Sequence, residues 1–278
     1  ATELQVPLPE NSPPRAGAPV IVRPPEFAET EIYHTLYLPS DWSMDAVADG
    51  RRWPVIVEYT GNYSPRAGST GRVDDARLGY GLSGGRCIWL VLPMVDLKNR
   101  CNASTWWGDP EATARYARTE VERVCRELGG DEHRVVLCGF SRGAIGCSFI
   151  GLGDPQTARL WCAIVTHDHF DGVKAWRGTD WGTPLDSYRA GATERLRRLG
   201  HRPLLICQNG SVAATREFLE SVVNTDQIEF LEVDTVQILG AFPNRIAVHP
   251  HTDGWLLVPS PYRKRVWEWM DRVLFSPR

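Results

Sequence analysis

The pentapeptide Gly139-Phe140-Ser141-Arg142-Gly143 places one hydroxyl between two glycines, directly after an apolar run over residues 135–138. Small residues follow, as at the start of a helix that packs close to a strand. This strand-turn-helix pattern is typical of a nucleophile elbow, in which a serine sits in a strained turn. Ser141 is therefore the candidate nucleophile, and the alternative is a polar turn without chemistry.

A serine hydroxyl is a weak nucleophile at neutral pH and needs a base to take its proton. The candidate bases are His249 and His251, which lie in a polar stretch before a C-terminal segment with helical periodicity. His251 is the preferred base because it stands nearer to the Thr-Asp-Gly turn at residues 252–254, which can orient its ring. The alternative for either histidine is a surface position in a loop.

The segments around these residues alternate between strand and helix patterns. Short apolar or alternating runs predict strands, and apolar residues at helical spacing predict helices. The predicted strands cover residues 31–38, 53–59, 87–93, 134–138, 160–166, 203–207 and 227–233, and the predicted helices cover 109–128, 142–152, 185–199, 213–223 and 261–275. The alternation predicts an α/β fold with a mostly parallel central sheet and helices on both faces. Reactive groups then belong at the carboxyl ends of the strands.

The domain organisation follows from length and composition. Residues 1–30 are rich in proline and lack periodicity, which predicts an extended N-terminal arm that lies over the domain or is partly disordered. Residues 31–278 are long enough for one large α/β domain, and two small domains are the alternative.

Charge and hydropathy argue against several classes of partner. The formal net charge is -3 and the basic residues are scattered, so we expect no nucleic-acid partner. The apolar runs fall far short of the roughly 20 residues that a membrane span needs, so we expect no membrane partner. Most of the seven cysteines sit in apolar runs, unlike a secreted disulfide framework. The chain begins at Ala1 without methionine, and secreted, periplasmic and cytoplasmic locations stay open.

From about residue 31 onward the chain resembles the α/β-hydrolase-fold serine esterases, through the elbow at Ser141 and a histidine just before the C-terminal helix. The resemblance implies that Ser141 attacks an acyl carbonyl, that His251 moves the proton and that no cofactor takes part. It also implies an oxyanion hole formed by the backbone N–H of Arg142 and by that of Gly61 or Asn62. The implied substrate is a small-molecule or saccharide ester.

The chain departs from that family at the triad acid. The usual position, after the predicted strand 203–207, reads Gln208-Asn209-Gly210-Ser211 and holds no carboxylate. The loop after the predicted strand 160–166 offers two aspartates. Asp171 is the preferred acid because the glycine that follows it favours a turn, and Asp168 is the alternative. Three further options stay open: Asn209 as a neutral partner, Glu217 and Asp234.

The pair Ser141-Arg142 also resembles the Ser-Arg pair at the elbow of the glucuronoyl esterases, although the lysine that ends that family's motif is missing here. This resemblance implies a guanidinium that neutralises the oxyanion or binds a substrate carboxylate. A surface arginine that covers the start of the helix is the alternative.

Aromatic residues in loop-like stretches commonly form the walls of binding sites, because they offer large apolar faces at low entropy cost. The predicted substrate-binding residues are Trp106, Trp107, Trp176 and Trp181, together with His167 and His169 beside Ser141. With Arg142, these residues favour a carbohydrate-linked ester.

Two other functions stay open. Residues 167–171 resemble the H-x-H-x-D-H zinc motif of the metallo-β-lactamase fold, so His167, His169 and Asp171 predict a metal-dependent hydrolase. Gly172 stands where the final histidine of that motif belongs. The missing acid after strand 203–207 instead predicts a non-catalytic α/β-hydrolase-like binding protein.

Overall fold

A computed structural model describes residues 2–170, 185–242 and 249–276 of the chain. Within these ranges the chain forms one eight-stranded sheet, a two-stranded ribbon and helices that pack on the large sheet. The strands are β1 (Pro19–Val22), β2 (His34–Tyr37), β3 (Trp53–Tyr59), β4 (Ile88–Leu92), β5 (Val95–Asp96), β6 (Cys101–Asn102), β7 (Gly130–Phe140), β8 (Ala163–His167), β9 (Leu204–Asn209) and β10 (Ile228–Val233). The ribbon pairs β5 with β6.

The helices that connect the strands vary from one turn to five turns. They are α1 (Met44–Ala48), α2 (Leu78–Ser83), α3 (Pro110–Leu128), α4 (Arg142–Phe149), α5 (Pro155–Ala158), α6 (Leu185–Arg197), α7 (Ala213–Glu220), α8 (Thr235–Gly240) and α9 (Pro261–Leu274). Helix α3 is capped at its start by Asp109, whose side chain accepts the Ala112 N–H, and at its end by Gly129, which has a φ of 75°. Both ends follow the ordinary preferences for helix caps.

The large sheet has the strand order β1-β2-β4-β3-β7-β8-β9-β10. The pairs β1–β2 and β2–β4 are antiparallel, and every other neighbouring pair is parallel. Strands β3 and β4 are buried at every residue, which explains why both are apolar except for Glu58 in β3. The predicted α/β fold with a mostly parallel central sheet is confirmed.

Each face of the sheet has its own apolar core. Residues of α3, α4, α6 and α7 pack with Trp107 and Trp161 on one face. Residues of α2, α8 and α9 pack with Trp255 and Trp269 on the other face. Because both faces are covered, functional groups must lie at the ends of the strands, and the loops after β3, β7, β8 and β9 all open at the same edge.

The Pro-rich segment predicted as a separate arm contributes to the sheet. Its residues Pro19–Val22 form β1, which pairs with β2 at the antiparallel edge. Farther toward the N-terminus, the Leu4 N–H donates to the Leu257 carbonyl at 2.7 Å. Proline suits an edge strand because one side of such a strand has no partner. The short β-branched run at residues 20–22 was the signal for this strand, and the prolines around it masked that signal.

In the described ranges, no helix combines the length and apolar character that crossing a membrane would require.

The turn between β7 and α4 holds Ser141 in an unusual backbone conformation. Its φ is 55° and its ψ is −115°, a combination that costs a non-glycine residue about 1–3 kcal/mol. The turn is held at its amide, because the Ser141 N–H donates to the His167 carbonyl of the neighbouring strand at 2.9 Å. The strained turn is thus anchored to β8.

The two glycines around Ser141 are needed for close backbone packing. A Cβ on Gly139 would lie 2.2 Å from the Gly143 carbonyl, and a Cβ on Gly143 would lie 1.8 Å from the carbonyl oxygen of Tyr59. Both contacts are with backbone atoms that cannot rotate away. The G-x-S-x-G spacing is therefore a packing requirement that brings β7, α4 and the end of β3 together.

We predict that Gly143→Ala destabilises the protein severely, by about 3 kcal/mol or more, because an overpacked core without a flexible neighbour has no cheap relaxation. Gly146→Ala in the same helix is the matched control. Its added Cβ would lie 3.0 Å from the flexible end of Met94 and at ordinary contact distance, 3.5 Å, from the Trp107 ring, so we expect a change within about 1 kcal/mol. Urea unfolding of both variants measures the difference, and equal stabilities would contradict the packing argument.

Candidate active site

Three side chains from three loops form a chain of hydrogen bonds at the carboxyl edge of the sheet. The Ser141 Oγ lies 2.9 Å from His251 Nε2, and His251 Nδ1 lies 2.8 Å from an Asp168 carboxylate oxygen. Because a carboxylate can only accept, Nδ1 carries the imidazole hydrogen and Nε2 accepts from the serine. Ser141 and His251 are the predicted nucleophile and base, and Asp168 was the alternative acid.

Asp168 directly follows β8 and is held by the backbone of the next strand. It is 5% exposed, its N–H donates to the Cys207 carbonyl at 3.0 Å, and its second carboxylate oxygen accepts the Asn209 N–H at 2.8 Å. Burial alone would raise the pKa of Asp168, but the imidazoles of His167 and His251 and the Asn209 amide outweigh it. They hold that pKa well below its usual range.

The other acids considered from the sequence occupy different positions. Asp171 lies outside the described residues. Asp234 caps α8, where its carboxylate accepts the Gln237 N–H at 2.8 Å. The Asn209 side chain accepts from Thr235 and not from His251, so Asn209 contributes to the acid through its backbone. This backbone contact explains how the usual acid loop contributes without a carboxylate.

His249, the other histidine in the same loop, has a supporting position. Its Nδ1 accepts the backbone N–H of His251 at 3.0 Å. The His251 ring packs between two aromatic rings, with centroids 4.6 Å from Phe140 and 4.7 Å from His169. These contacts fix the plane of the ring that joins Ser141 to Asp168.

The loop after β3 lies against the serine turn. A Cβ on Gly61 would lie 3.5 Å from the Ser141 Cβ and 3.0 Å from the Phe140 ring. The backbone N–H groups of Arg142, Gly61 and Asn62 have no acceptor within the part of the chain that the structure describes. The Asn62 side chain accepts the Trp106 N–H at 2.7 Å, which connects this loop to the next one.

The guanidinium of Arg142 does not reach the site in the way that the Ser-Arg resemblance implied. The side chain is 1% exposed, and all five of its N–H groups are used. Nε donates to the Thr60 carbonyl at 3.2 Å, Nη1 to the carbonyls of Ala103 and Trp106 at 2.9 Å each, and Nη2 to Thr60 Oγ1 at 3.2 Å and the Gly71 carbonyl at 3.3 Å. It is neither a surface arginine nor a free binder of carboxylates.

The charge of Arg142 is buried without a carboxylate partner among the described residues. Burial lowers the pKa of its guanidinium to about 9, so it is still charged at neutral pH. A buried charge requires hydrogen bonds to every donor, and here four backbone carbonyls and the Thr60 hydroxyl accept them. Arg142 therefore ties together the loop after β3, the segment around Gly71 and the loop that carries Trp106.

A cavity of about 250 Å³ opens beside Ser141. Its walls include Asn62, Tyr63, Trp106, Ile145 and His169. Trp106 has a φ of 49°, which is rare for a tryptophan. Its backbone is held on both sides, by the Asn62 side chain at its N–H and by Arg142 at its carbonyl. Of the four predicted tryptophans, Trp106 lines this cavity, and Trp176 and Trp181 lie outside the described residues.

Two predicted substrate-binding residues are buried instead. Trp107 is 1% exposed and belongs to the core, with its ring 4.9 Å from Phe149. His167 is also 1% exposed: its Nε2–H donates to the Thr252 carbonyl at 2.8 Å, and its ring packs on the edge of Trp255. Alternation along a strand explains His167, because it is the last residue of β8 and its side chain enters the core.

The described residues contain no cluster of three or more histidine, cysteine or carboxylate side chains with the geometry of a metal site. Of the zinc set considered above, His167 is bonded within the core, His169 packs against His251, and Asp171 lies outside the described ranges.

The sequence did not predict three residues that shape the site, namely Thr60, Phe140 and Tyr63. Their only signal was their position at the ends of β3 and β7.

No protein-family model matches the chain, and no curated protein matches it in sequence. Solved structures of similar shape do exist, at low identity. The AtxE2 isopeptidase with astexin3-dC4 bound is 15% identical, with a TM-score of 0.56 over 92% of this chain and 40% of that chain. A thermostable esterase is 17% identical, with a TM-score of 0.52 over 91% of this chain and 61% of that chain.

A fungal esterase of Rhizomucor miehei is 13% identical, with a TM-score of 0.53 over 96% of this chain and 84% of that chain. The chain thus spans less than two thirds of the length of the isopeptidase and of the thermostable esterase. At these identities the likeness concerns the fold alone. With the sheet order and the serine turn between β7 and α4, it confirms that the chain has the α/β-hydrolase fold.

Proposed function

We propose that the protein is a serine-dependent carboxylic ester hydrolase that acts through an acyl-enzyme. The observation that carries this proposal is the continuous hydrogen-bonded path from Ser141 Oγ through the His251 ring to Asp168, with contacts of 2.9 and 2.8 Å. This arrangement activates a hydroxyl that would otherwise be a weak nucleophile. The esterases among the similar structures support the same class of reaction.

In the proposed acylation step, Ser141 Oγ attacks the ester carbonyl and His251 Nε2 takes the hydroxyl proton. The C–O bond to the alcohol then breaks, and the same Nε2–H gives its proton to the departing oxygen. In deacylation His251 takes a proton from water, which attacks the acyl group, and then returns a proton to Ser141 Oγ.

Asp168 is the proposed orienting acid. Its pKa lies below its usual range, so it is an acceptor at neutral pH and holds the hydrogen of His251 on Nδ1. It also stabilises the imidazolium that forms in each step. The backbone N–H of Asn209 keeps the carboxylate in place while that charge develops.

The proposed oxyanion donors are the backbone N–H of Arg142 and that of Gly61 or Asn62. They belong to elements that meet at Ser141 and have no acceptor among the described residues. Each donor of this kind contributes about 3 kcal/mol to transition-state stabilisation. The substrate is proposed to be a carbohydrate-linked ester, and Trp106 and Tyr63 form aromatic walls of the cavity beside Ser141.

Arg142 is proposed as a positioning residue. Its five hydrogen bonds hold Thr60, immediately before the oxyanion loop, and Trp106 in the wall of the cavity. Small displacements of preorganised donors have large effects on rate. The guanidinium thus acts on the reaction through the backbone that it fixes.

A non-catalytic binding protein is the competing function. This function was inferred from the absence of a carboxylate after β9. Asp168, which follows β8, argues against that inference because it reaches His251 from the adjacent strand. The two functions predict different behaviour toward an activated ester.

Ser141→Ala is predicted to lower the hydrolysis of p-nitrophenyl acetate by at least about a thousandfold, because no other group takes over a missing nucleophile. Release of p-nitrophenol measures the rate. Ser221→Ala, an exposed serine that bonds only the Phe218 carbonyl, is the matched control and should match the wild type. Equal rates for Ser141→Ala and wild type would favour the binding protein.

Arg142→Met is predicted to lower kcat by about tenfold to a hundredfold with a smaller change in KM, because the oxyanion donors lose their fixed positions. Arg142→Lys keeps a charge and some of the hydrogen bonds, so its kcat should be intermediate. Titration with a fluorophosphonate counts the folded sites, so that kcat is expressed per site and loss of fold is not counted as loss of rate.

The control for Arg142 is Arg118→Met, which removes a half-buried arginine of α3 that bonds Asp154 and Thr157 at the start of α5. It should keep the wild-type kcat per titrated site. A wild-type kcat per site in Arg142→Met would contradict the positioning role.

A further inference from the structure

A second cavity, of about 490 Å³, also borders the His251 ring. It shares His169 and His251 with the smaller cavity beside Ser141. Its volume falls within the range of small-molecule sites, about 300–1,000 Å³. Asp168 and Asn209 border it, so it opens at the place where this fold usually carries the triad acid.

The direction of the proposed reaction assigns one half of the ester to each cavity. Ser141 and two candidate oxyanion donors, Arg142 and Asn62, border the smaller cavity. An acyl group bound there would extend from the carbonyl toward Trp106 and Ile145. The departing oxygen receives its proton from His251 Nε2. The alcohol half therefore passes His251 and His169 on its way out, and the larger cavity begins at those two rings.

Groups that bond to neutral hydroxyls line the larger cavity. The Asn209 Oδ1 is taken by Thr235, which leaves its amide N–H groups as donors. Gln208 Nε2 uses one hydrogen on the Ser211 carbonyl at 2.5 Å and has a second. Thr215 Oγ1 donates to Gln208 Oε1 at 3.4 Å and is left with its lone pairs as acceptors.

The charges around the larger cavity further restrict the class of alcohol that it could bind. No lysine or arginine stands among the described residues that line this cavity. The one carboxylate, Asp168, already accepts from His251 and Asn209. Among these described residues an anionic alcohol finds no cation, and an apolar alcohol would cover the N–H donors of Gln208 and Asn209 without giving them an acceptor. A neutral polyhydroxylated alcohol satisfies both conditions.

Backbone strain at Asp168 and His169 supports a ligand site where the two cavities meet. Asp168 and His169 both have positive φ angles, of 58° and 63°. Two successive non-glycine residues in this region cost about 1–3 kcal/mol each, and such conformations cluster at ligand sites. With these angles, Asp168 accepts from His251 at 2.8 Å, and the His169 ring packs on the same imidazole with the ring centroids 4.7 Å apart.

We propose that the larger cavity binds the alcohol half of the substrate and that this alcohol is a neutral sugar, with a small acyl group in the cavity beside Ser141. The proposal rests on the proposed ester hydrolysis. Acyl transfer to Ser141 Oγ breaks the acyl–oxygen bond, and the sugar leaves through this cavity with the proton from His251. Gln208, Asn209 and Thr215 are the proposed specificity residues.

The test holds the acyl group constant and changes the alcohol. We expect kcat/KM for glucose acetylated at its primary hydroxyl to exceed that for methyl acetate by at least about tenfold, from two or three net hydrogen bonds. Gln208→Leu and Thr215→Val should each lower this ratio by about threefold to tenfold. Thr215→Ser keeps the hydroxyl and should keep the ratio, which controls for general effects at this buried position.

A ratio near one in the wild type, or an unchanged ratio in both Gln208→Leu and Thr215→Val, would overturn the assignment. A separate measurement distinguishes failure of the cavity assignment from failure of the proposed function. Saturation-transfer NMR of methyl glucoside with Ser141→Ala should show contact with the protein, weakened when Gln208→Leu is added. Contact without any Ser141-dependent hydrolysis would keep the sugar site and reject the esterase, and no contact would reject the sugar site.

Discussion

The burial of the Asp168 carboxylate is the constraint on which the candidate site depends. A buried anion is stable only with donors on its oxygens, and Asp168 has two, the His251 Nδ1–H and the Asn209 N–H. The first donor fixes the tautomer of His251 and thereby the direction of the Ser141 hydrogen bond. The second comes from β9, the strand that pairs directly with β8. The parallel pairing of these strands therefore determines the proton path.

Different interactions hold the acid side and the oxyanion side of the site. On the acid side, the β8–β9 pairing and two residues with positive φ set the positions of Asp168 and His169. On the oxyanion side, the buried guanidinium of Arg142 joins three loops through five hydrogen bonds. The serine turn stands between the two sides and is anchored to both, through the His167 carbonyl and through the close packing of Gly143 on Tyr59.

The sequence predicted the fold well because periodicity reports burial. The predicted strand 53–59 coincides with β3, the predicted helix 109–128 differs from α3 by one residue, and the fold class is the one observed. Short elements without a period were missed, including α2 and β1. Strand β1 is four residues long in a proline-rich stretch, and its formation depends on pairing with β2, which lies outside any local window.

At the site, the sequence located loops that the structure brings together, but it did not reveal which of their atoms are in contact. Asp171 was preferred because of the glycine after it. Asp168 reaches His251 with a positive φ, which could not be predicted from the residue type. The sequence predicted that Arg142 faces the substrate or the solvent. Its burial could not be predicted, because the carbonyls that surround it come from loops distant in the sequence. The burial of Trp107 and His167 likewise depends on residues distant in the sequence, Phe149 for Trp107 and Thr252 for His167.

The most direct test of the account compares Asp168→Asn with Asp171→Asn in the pre-steady-state acylation of p-nitrophenyl acetate. An asparagine at position 168 no longer holds the hydrogen on His251 Nδ1, so the acylation rate should fall by about 10³–10⁴-fold. Asp171→Asn should acylate at the rate of the wild type. Wild-type acylation by Asp168→Asn, with the loss found in Asp171→Asn, would contradict the proton path from Ser141 through His251 to Asp168.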